Sequence, residues 1–252
     1  ASNGDGQELE ISQAGEVTSI MNTIIYNANS NSSNTSSTIS YTYPPDSISM
    51  SNTIVYNGYA GDGAINVDPL FCNTENRDFT LAANSPAIGA GENGSNIGAL
   101  GVGCEALNFS LTINEIMNNP SAVSDSDGEW FEIFNNGEVI LDLNGWIMKD
   151  NDGESHVISS SLVIAPGEYK VLSNNSNYFT NGGLEVDYQY ASNWYLSNSS
   201  DEIILVDPNG TVFDSVAYDN GATFPDPNGA SMALVHPDSN NTLGTNWQES
   251  TS

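Results

Sequence analysis

No stretch of this 252-residue chain carries apolar residues at the i, i+3, i+4, i+7 spacing that a buried helix face requires. It carries short runs of β-branched and aromatic residues instead, each broken off by Asn, Ser, Asp, Gly or Pro. Alternating runs of that length between turn-formers fit strands, whose side chains point to opposite faces in turn. The chain is therefore expected to be all-β.

The character of the strands changes near Cys104. Before it they are very short: Ile24-Ile25-Tyr26, Ile39-Ser40-Tyr41, Ile48-Ser49-Met50 and Ile54-Val55-Tyr56. Met21–Asn27, MNTIIYN, returns as Ser51–Asn57, SNTIVYN, at a spacing of 30 residues. A period of that size points to a stacked solenoid such as a parallel β-helix. Ile24 would then stack on Ile54, Tyr26 on Tyr56 and Asn27 on Asn57. The alternative is two sandwich strands that match by chance. After Cys104 the strands lengthen: Leu111–Met117, Glu129–Asn135, Gly167–Ser173, Asp201–Asp207 and Thr211–Tyr218. Turn signals separate them, with Pro208-Asn209-Gly210 the strongest hairpin cue. About seven strands in this part read as a β-sandwich. The expected division is residues 1–104 and 105–252.

Charge limits the partners. The formal net charge is −29, from 32 acidic residues against Arg77, Lys149 and Lys170. No basic patch can form, which excludes nucleic acid and anionic lipid as partners. No run of 18 apolar residues is present, so no helix is expected to insert in a membrane. The chain opens with no signal-peptide pattern. Asn, Ser, Thr and Gly fill the surface in place of charge, as suits extracellular or cell-surface water. Cys72 and Cys104 are the only cysteines. They read as one disulfide formed in an oxidising compartment, with two buried thiols as the alternative. The sequons at Asn31, Asn108 and Asn198 carry little weight in a chain so rich in Asn and Ser.

Catalysis finds little purchase. A Ser-His-Asp arrangement needs a placed His, and only His156 and His236 exist. Gly229-Ala-Ser231-Met-Ala233 resembles a nucleophile elbow, but no helix pattern follows it, and Ser231 is expected in a strand. Glu8, Glu10, Asp46 and Asp62 offer carboxylates, yet nothing pairs them at the separation glycoside hydrolysis needs. Metal binding is better supported. Asp125-Ser-Asp127-Gly-Glu129 and Asp150-Asn-Asp152-Gly-Glu154 are acidic loops of the kind that hold calcium through oxygen ligands. Asp125, Asp127, Glu129, Asp150 and Asp152 are the candidate ligands. Two solvated Asp-Gly turns are the bland alternative. Tyr188, Tyr190, Trp194 and Tyr195 could form a glycan-stacking platform, or simply belong to the core.

Two family resemblances sharpen this. Asp68-Pro-Leu-Phe71, Asp78-Phe-Thr-Leu81, Ser85-Pro-Ala-Ile88 with Ala90-Gly91, and Ile97-Gly-Ala99 resemble the closing coils of bacterial right-handed parallel β-helix proteins. In such endings a Cys after D-P-L-F accompanies a terminal G-V-G-C, which implies a Cys72–Cys104 bond tying off the last coil. The second part is similar to a lamin-tail domain, an immunoglobulin-like sandwich. The residues that carry this are Ile113-Asn-Glu-Ile116, Gly128-Glu-Trp-Phe-Glu-Ile133 with Asn135, Leu143-Asn-Gly-Trp146, Pro166-Gly-Glu168, Leu196 to Asp201, Asp214-Ser-Val216 and Gly229-Ala-Ser231. Both ends of the chain read as cuts in a longer protein. The lack of a catalytic constellation, the scarcity of Lys and Arg and two scaffold-type folds together lead to the expectation of a non-catalytic structural or adhesive module, with self-association through the β-helix end or a sandwich edge as its extension. An accessory region of a polysaccharide-active β-helix enzyme, binding glycan or acting as a spacer, is the rival expectation.

Overall fold

Six short strands carry the sequence repeat as three parallel pairs. They are β1 (Leu9–Ile11), β2 (Val17–Met21), β3 (Ile24–Tyr26), β4 (Ile39–Tyr41), β5 (Ser47–Ser51) and β6 (Thr53–Tyr56). In the computed structural model, which describes residues 9–11, 17–26, 39–41, 47–56, 63–74, 76–190 and 194–251, β1 pairs with β4, β2 with β5 and β3 with β6. Every register is offset by the repeat: Leu9 on Ile39, Ile20 on Met50, Ile24 on Ile54 and Tyr26 on Tyr56. The expected Asn27–Asn57 rung lies outside the described residues. β7 (Ala64–Ile65) continues the third ladder in parallel on β6.

The physical basis of the repeat is visible at its Asn-Thr pair. Asn22 and Asn52 both adopt left-handed backbone, with φ of 49° and 48°. Asn tolerates that conformation better than most residues. Each turns the chain between two strands. Thr23 and Thr53 then donate from Oγ1 to the carbonyls of Met21 and Ser51, at 2.8 and 2.9 Å. Beyond the corner, side chains alternate between two cores. Ile54 packs with Leu81, Ala87 and Ile97, and Ile24 lies against them. Ile25 and Val55 pack with Met50 on the other side. Tyr26 stacks on Tyr56 with ring centroids 5.5 Å apart.

A closing segment finishes this part. β8 (Phe71–Asn73), β9 (Asp78–Ala82) and β10 (Val102–Cys104) form one sheet in the order β10-β9-β8. Asp68 accepts the Leu70 N–H at 2.8 Å, holding the bend before β8. Ser85 donates to the Pro69 carbonyl at 2.6 Å and accepts the Ala87 N–H at 3.1 Å. Those bonds fold residues 85–99 back so that buried Ala87 and Ile97 meet Ile54. Gly98 sits at φ 93°, a conformation that favours glycine, and an added Cβ would also press on Ile24 Cδ1 at 2.9 Å. Cys72 on β8 and Cys104 on β10 are disulfide-bonded, with Cα atoms 5.9 Å apart.

The chain divides into two units, Ala1–Leu107 and Asn108–Ser252. In the second, β11 (Thr112–Met117) is followed by a single helical turn, α1 (Asp125–Gly128), and then by β12 (Trp130–Phe134), β13 (Leu141–Asp142), β14 (Ile147–Lys149), β15 (Ser155–Val157), β16 (Val163–Ile164), β17 (Tyr169–Ser173) and β18 (Tyr188–Gln189). The hairpin β19 (Ser200–Val206) and β20 (Val212–Asp219) precedes β21 (Met232–Leu234) and β22 (Trp247–Glu249). One six-stranded sheet runs β18-β17-β12-β11-β21-β22, one four-stranded sheet runs β15-β14-β19-β20, and β13 pairs with β16. The core comprises inward residues of both larger sheets, among them Ile113, Phe131, Ile133, Met148, Leu172, Ile203, Leu205 and Val216. The two larger sheets and their shared core make a β-sandwich. The sequence predicts about seven strands for such a domain. The described residues hold twelve, β11 to β22. The excess consists of strands of two or three residues, such as β13, β16 and β18, too short to show alternation.

Buried asparagines fasten the loops to the sheets. Asn135 is fully buried; its Nδ2 donates to the Val139 and Ile164 carbonyls, both at 2.9 Å, and its Oδ1 accepts the Gly137 N–H at 3.0 Å. Asn241 donates to Asp214 at 2.7 Å, and Asp214 accepts the Ile113 N–H at 2.6 Å. The Trp247 indole donates to the Asn241 carbonyl at 2.8 Å, locking the final strand.

Candidate functional site

A buried carboxylate marks the site. Glu129 follows α1 directly and is 3% exposed. The helical turn forms because Ser124 accepts the N–H groups of Asp127 and Gly128, both at 2.9 Å, and Asp125 accepts that of Glu129 at 3.2 Å. Glu129 Oε2 accepts the Leu196 N–H at 3.0 Å. Its carbonyl accepts the hydroxyls of Ser173 and Tyr190 at 2.9 and 3.2 Å. Asp125 Oδ2 accepts Asn198 Nδ2 at 3.0 Å, and the Asp125 carbonyl accepts Asn174 Nδ2 at 2.7 Å. The turn, Asn174 and residues 194–198 thus line a cleft of about 520 Å³.

The second acidic loop approaches the same segment. Asp150 Oδ1 accepts the N–H groups of Gly153 and Glu154, both at 2.8 Å, which fixes the turn. Glu154 then accepts the Tyr195 N–H at 3.4 Å. Asp201 accepts the Ser197 N–H at 2.8 Å from the start of β19. Burial pushes Glu129 up to about 7, and the charges of Asp125, Asp201 and Glu154 add to the rise. Asp201 is raised as well, by burial first and by Asp150 and Glu202 after it.

Of the five expected calcium ligands, Asp125 and Glu129 face this cleft. Asp150 spends one carboxylate oxygen on its own turn. Asp127 turns to Ser124 and Asn175, at 2.8 and 3.2 Å. Asp152 is exposed in the loop. Among the described residues no three His, Cys, Asp or Glu side chains form a metal-holding group. The Asp125–Gly128 stretch is also a helical turn, where the sequence predicts an open loop. Gly128 permits it: a Cβ there would lie 2.4 Å from Val123 Cγ2.

Of the two readings of the aromatic run, burial favours the core for three of its four rings. Tyr188, Tyr190 and Trp194 are core residues at 9%, 1% and 1% exposure, and only Tyr195 opens to solvent, at 56%. Trp194 packs edge-on against Phe131 and Tyr190, at 5.6 and 4.9 Å between ring centroids. Ser231 lies just before β21 instead of within a strand, is buried, and donates its hydroxyl to Glu115. His156 contacts the Tyr188 hydroxyl at 2.8 Å, and His236 contacts Asp238 at 3.6 Å. Glu8, Asp46 and Asp62 lie outside the described residues, as does the Glu10 side chain.

The segment that carries β11 to β20 and this cleft has a family likeness. Residues 107–220 match the Lamin Tail Domain. No curated protein matches the chain. The lamin tail domain is a non-catalytic immunoglobulin-like domain. The matched residues include α1, Glu129 and the 194–201 segment. β21 and β22 fall beyond the match; β21 pairs with β11 and β22 with β21, so both belong to the same six-stranded sheet.

Sequence reasoning marked Asp125, Glu129, Glu154 and Asp201 within motifs but not as one group. Their convergence depends on residues 194–201 crossing both acidic loops, a tertiary relation that no spacing encodes. Asn174 went unmarked and Asn198 stood out only as a weak sequon, because in so Asn-rich a chain nothing distinguishes a structural amide from a surface one.

Proposed function

We propose that this chain is a non-catalytic structural or adhesive module of an extracellular or cell-surface protein. In this reading residues 1–104 are terminal coils of a right-handed parallel β-helix, and residues 105–252 are a lamin-tail-like, immunoglobulin-like domain that follows them in the chain. The observation that carries it is the order of parallel pairs. β1–β4, β2–β5 and β3–β6 share one 30-residue offset, as one coil laid on the next would give. Among the described residues β1, β2 and β3 each have only one strand neighbour, so three outer edges of one coil remain open. Unpaired strand edges template further pairing. A further coil, supplied by the same protein or by another copy, would complete them. The disulfide between β8 and β10 suits an oxidising exterior.

End-to-end association through those edges is the functional consequence. Sedimentation velocity and negative-stain microscopy of the purified chain, over a wide concentration range in moderate salt, test it. Concentration-dependent end-to-end oligomers are expected. A strict monomer at the highest concentrations would overturn self-assembly through the coil edge.

A further inference from the structure

Four carboxylates gather around residues 194–201: Asp125, Glu129, Glu154 and Asp201. Among the described residues neither Lys nor Arg forms an ion pair with any of them; the ion pairs present are Lys170–Asp187 and His236–Asp238. Glu129 is buried and the other three are half-buried, so like charges meet where water screens them poorly, which is costly. A cationic ligand would relieve it.

Two further polar groups at the cleft lack partners. Trp194 is 1% exposed and its Nε1–H has no acceptor. Asn174 commits its Nδ2 to the Asp125 carbonyl and, at 3.5 Å, to Glu129, leaving Oδ1 without a donor. Both residues line the cleft together with Asp125, Glu129 and the half-exposed Tyr195. The hollow, at about 520 Å³, far exceeds the roughly 30 Å³ share of one water. It lies in the range of small-ligand sites.

We propose that this cleft binds an alkylammonium group set near a hydrogen-bond acceptor, as in the lysine side chain of a peptide. Glu129 Oε1 and Asp125 Oδ1 take no hydrogen bond from the described residues and are the natural acceptors for the cation. Asn174 Oδ1 offers a third acceptor. The unpartnered Trp194 N–H is the donor assigned to the peptide carbonyl beside the lysine. Tyr195 offers an aromatic face for the methylene stem and the charge. Bare metal fits less well, because the carboxylates lie around the cleft without three of them forming a metal-holding group. The proposal goes beyond the structural reading above and is independent of how the coils stack.

Titration calorimetry at pH 7 with Nα-acetyl-lysine amide, and in a second arm with a short lysine-bearing peptide, tests the proposal. Nα-acetyl-norleucine amide and calcium chloride serve as comparators. Either lysine ligand is expected to bind and the norleucine amide is not; binding only in the peptide arm assigns the natural source to a protein partner. A cation beside Glu129 draws its carboxyl down, so binding should release up to about half a proton, read from buffers of different ionisation enthalpy. Asp125→Asn and Glu129→Gln should each weaken binding about 3- to 10-fold, and Glu129→Gln should abolish proton release. Melting curves confirm that both variants fold. Equal binding of the norleucine amide, tight binding of calcium in place of amine, or no binding in either lysine arm would overturn the proposal.

Discussion

Glu129 gives the sharpest test of the site's electrostatics. Its carboxyl rises from 4.5 to about 7 because burial removes water and three like charges stand nearby. In the unfolded chain the group returns to its ordinary value. Between those two values the folded state holds a proton that the unfolded state has lost, so stability falls as pH rises. The stability is fully present below about 4.5 and is lost as pH passes through about 7. A displacement of that size corresponds to about 3 kcal/mol, and at 3% exposure little of it is screened by solvent. Glu129→Gln reproduces the neutral form and can still accept the Leu196 N–H. Thermal melts of wild type and variant at pH 5 and pH 8 isolate this group from the other carboxylates, which are common to both. At pH 5 the two should melt within a few degrees of each other. At pH 8 the variant should be more stable by about 3 kcal/mol, or roughly 6–12 °C in Tm. A difference between the proteins that is the same at both pH values would refute the account.

Three other outcomes follow from particular contacts. Reducing Cys72–Cys104, or replacing both by Ser, opens a loop of sequence separation 32; chain-entropy reasoning gives a loss of roughly 3–4 kcal/mol for the first unit, measurable by melting with and without reductant. Asn135→Ala removes three hydrogen bonds, two of them buried, and strands the Val139 and Ile164 carbonyls, so urea unfolding should show a loss of about 2–4 kcal/mol. Raising sodium chloride from low to moderate concentration should raise Tm, because like-charge repulsion at −29 is screened while few ion pairs are there to weaken.

Legibility in the sequence depended on how locally each feature is caused. The strands at Thr112–Met117, Trp130–Phe134 and Ser200–Val206 were readable because their side chains alternate over five residues or more. The Ile24–Ile54 pairing was readable because an Asn-Thr corner recurs with its strand. β13, β16 and β18 were not, because two residues cannot display a period. The helical turn at Asp125–Gly128 escaped for a similar reason: one turn exposes no apolar stripe, and its stability comes from Ser124 and the close fit of Gly128 against Val123. Tyr188, Tyr190 and Trp194 stayed open between core and platform in the sequence, since composition does not distinguish a core ring from a surface one, and their burial decides for the core. The electrostatic coupling of Glu129 to Asp201 and Glu154 depends on tertiary crossing.

A chain with three basic residues cannot use ion pairs as its polar cross-links, and asparagine takes that place. Asn22, Asn52, Asn93 and Asn220 occupy left-handed backbone at turns. Asn135, Asn181 and Asn241, all nearly buried, satisfy backbone groups that loops would otherwise leave unpaired; Asn181 alone bonds the carbonyls of Asn175 and Leu184 and the N–H groups of Gly183 and Leu184. An amide donates and accepts without the desolvation cost of a charge. Such a scaffold tolerates a strongly negative surface, because its internal fastenings are neutral. Against that neutral frame a buried carboxylate is an exception that calls for a reason. Asp214 has one, in the Ile113 N–H and the Asn241 amide that hold it. Glu129 has one backbone N–H, a long contact to an amide and three repelling neighbours. The imbalance at Glu129 therefore exceeds what the fold itself uses, and it is this excess that a bound cation would neutralise.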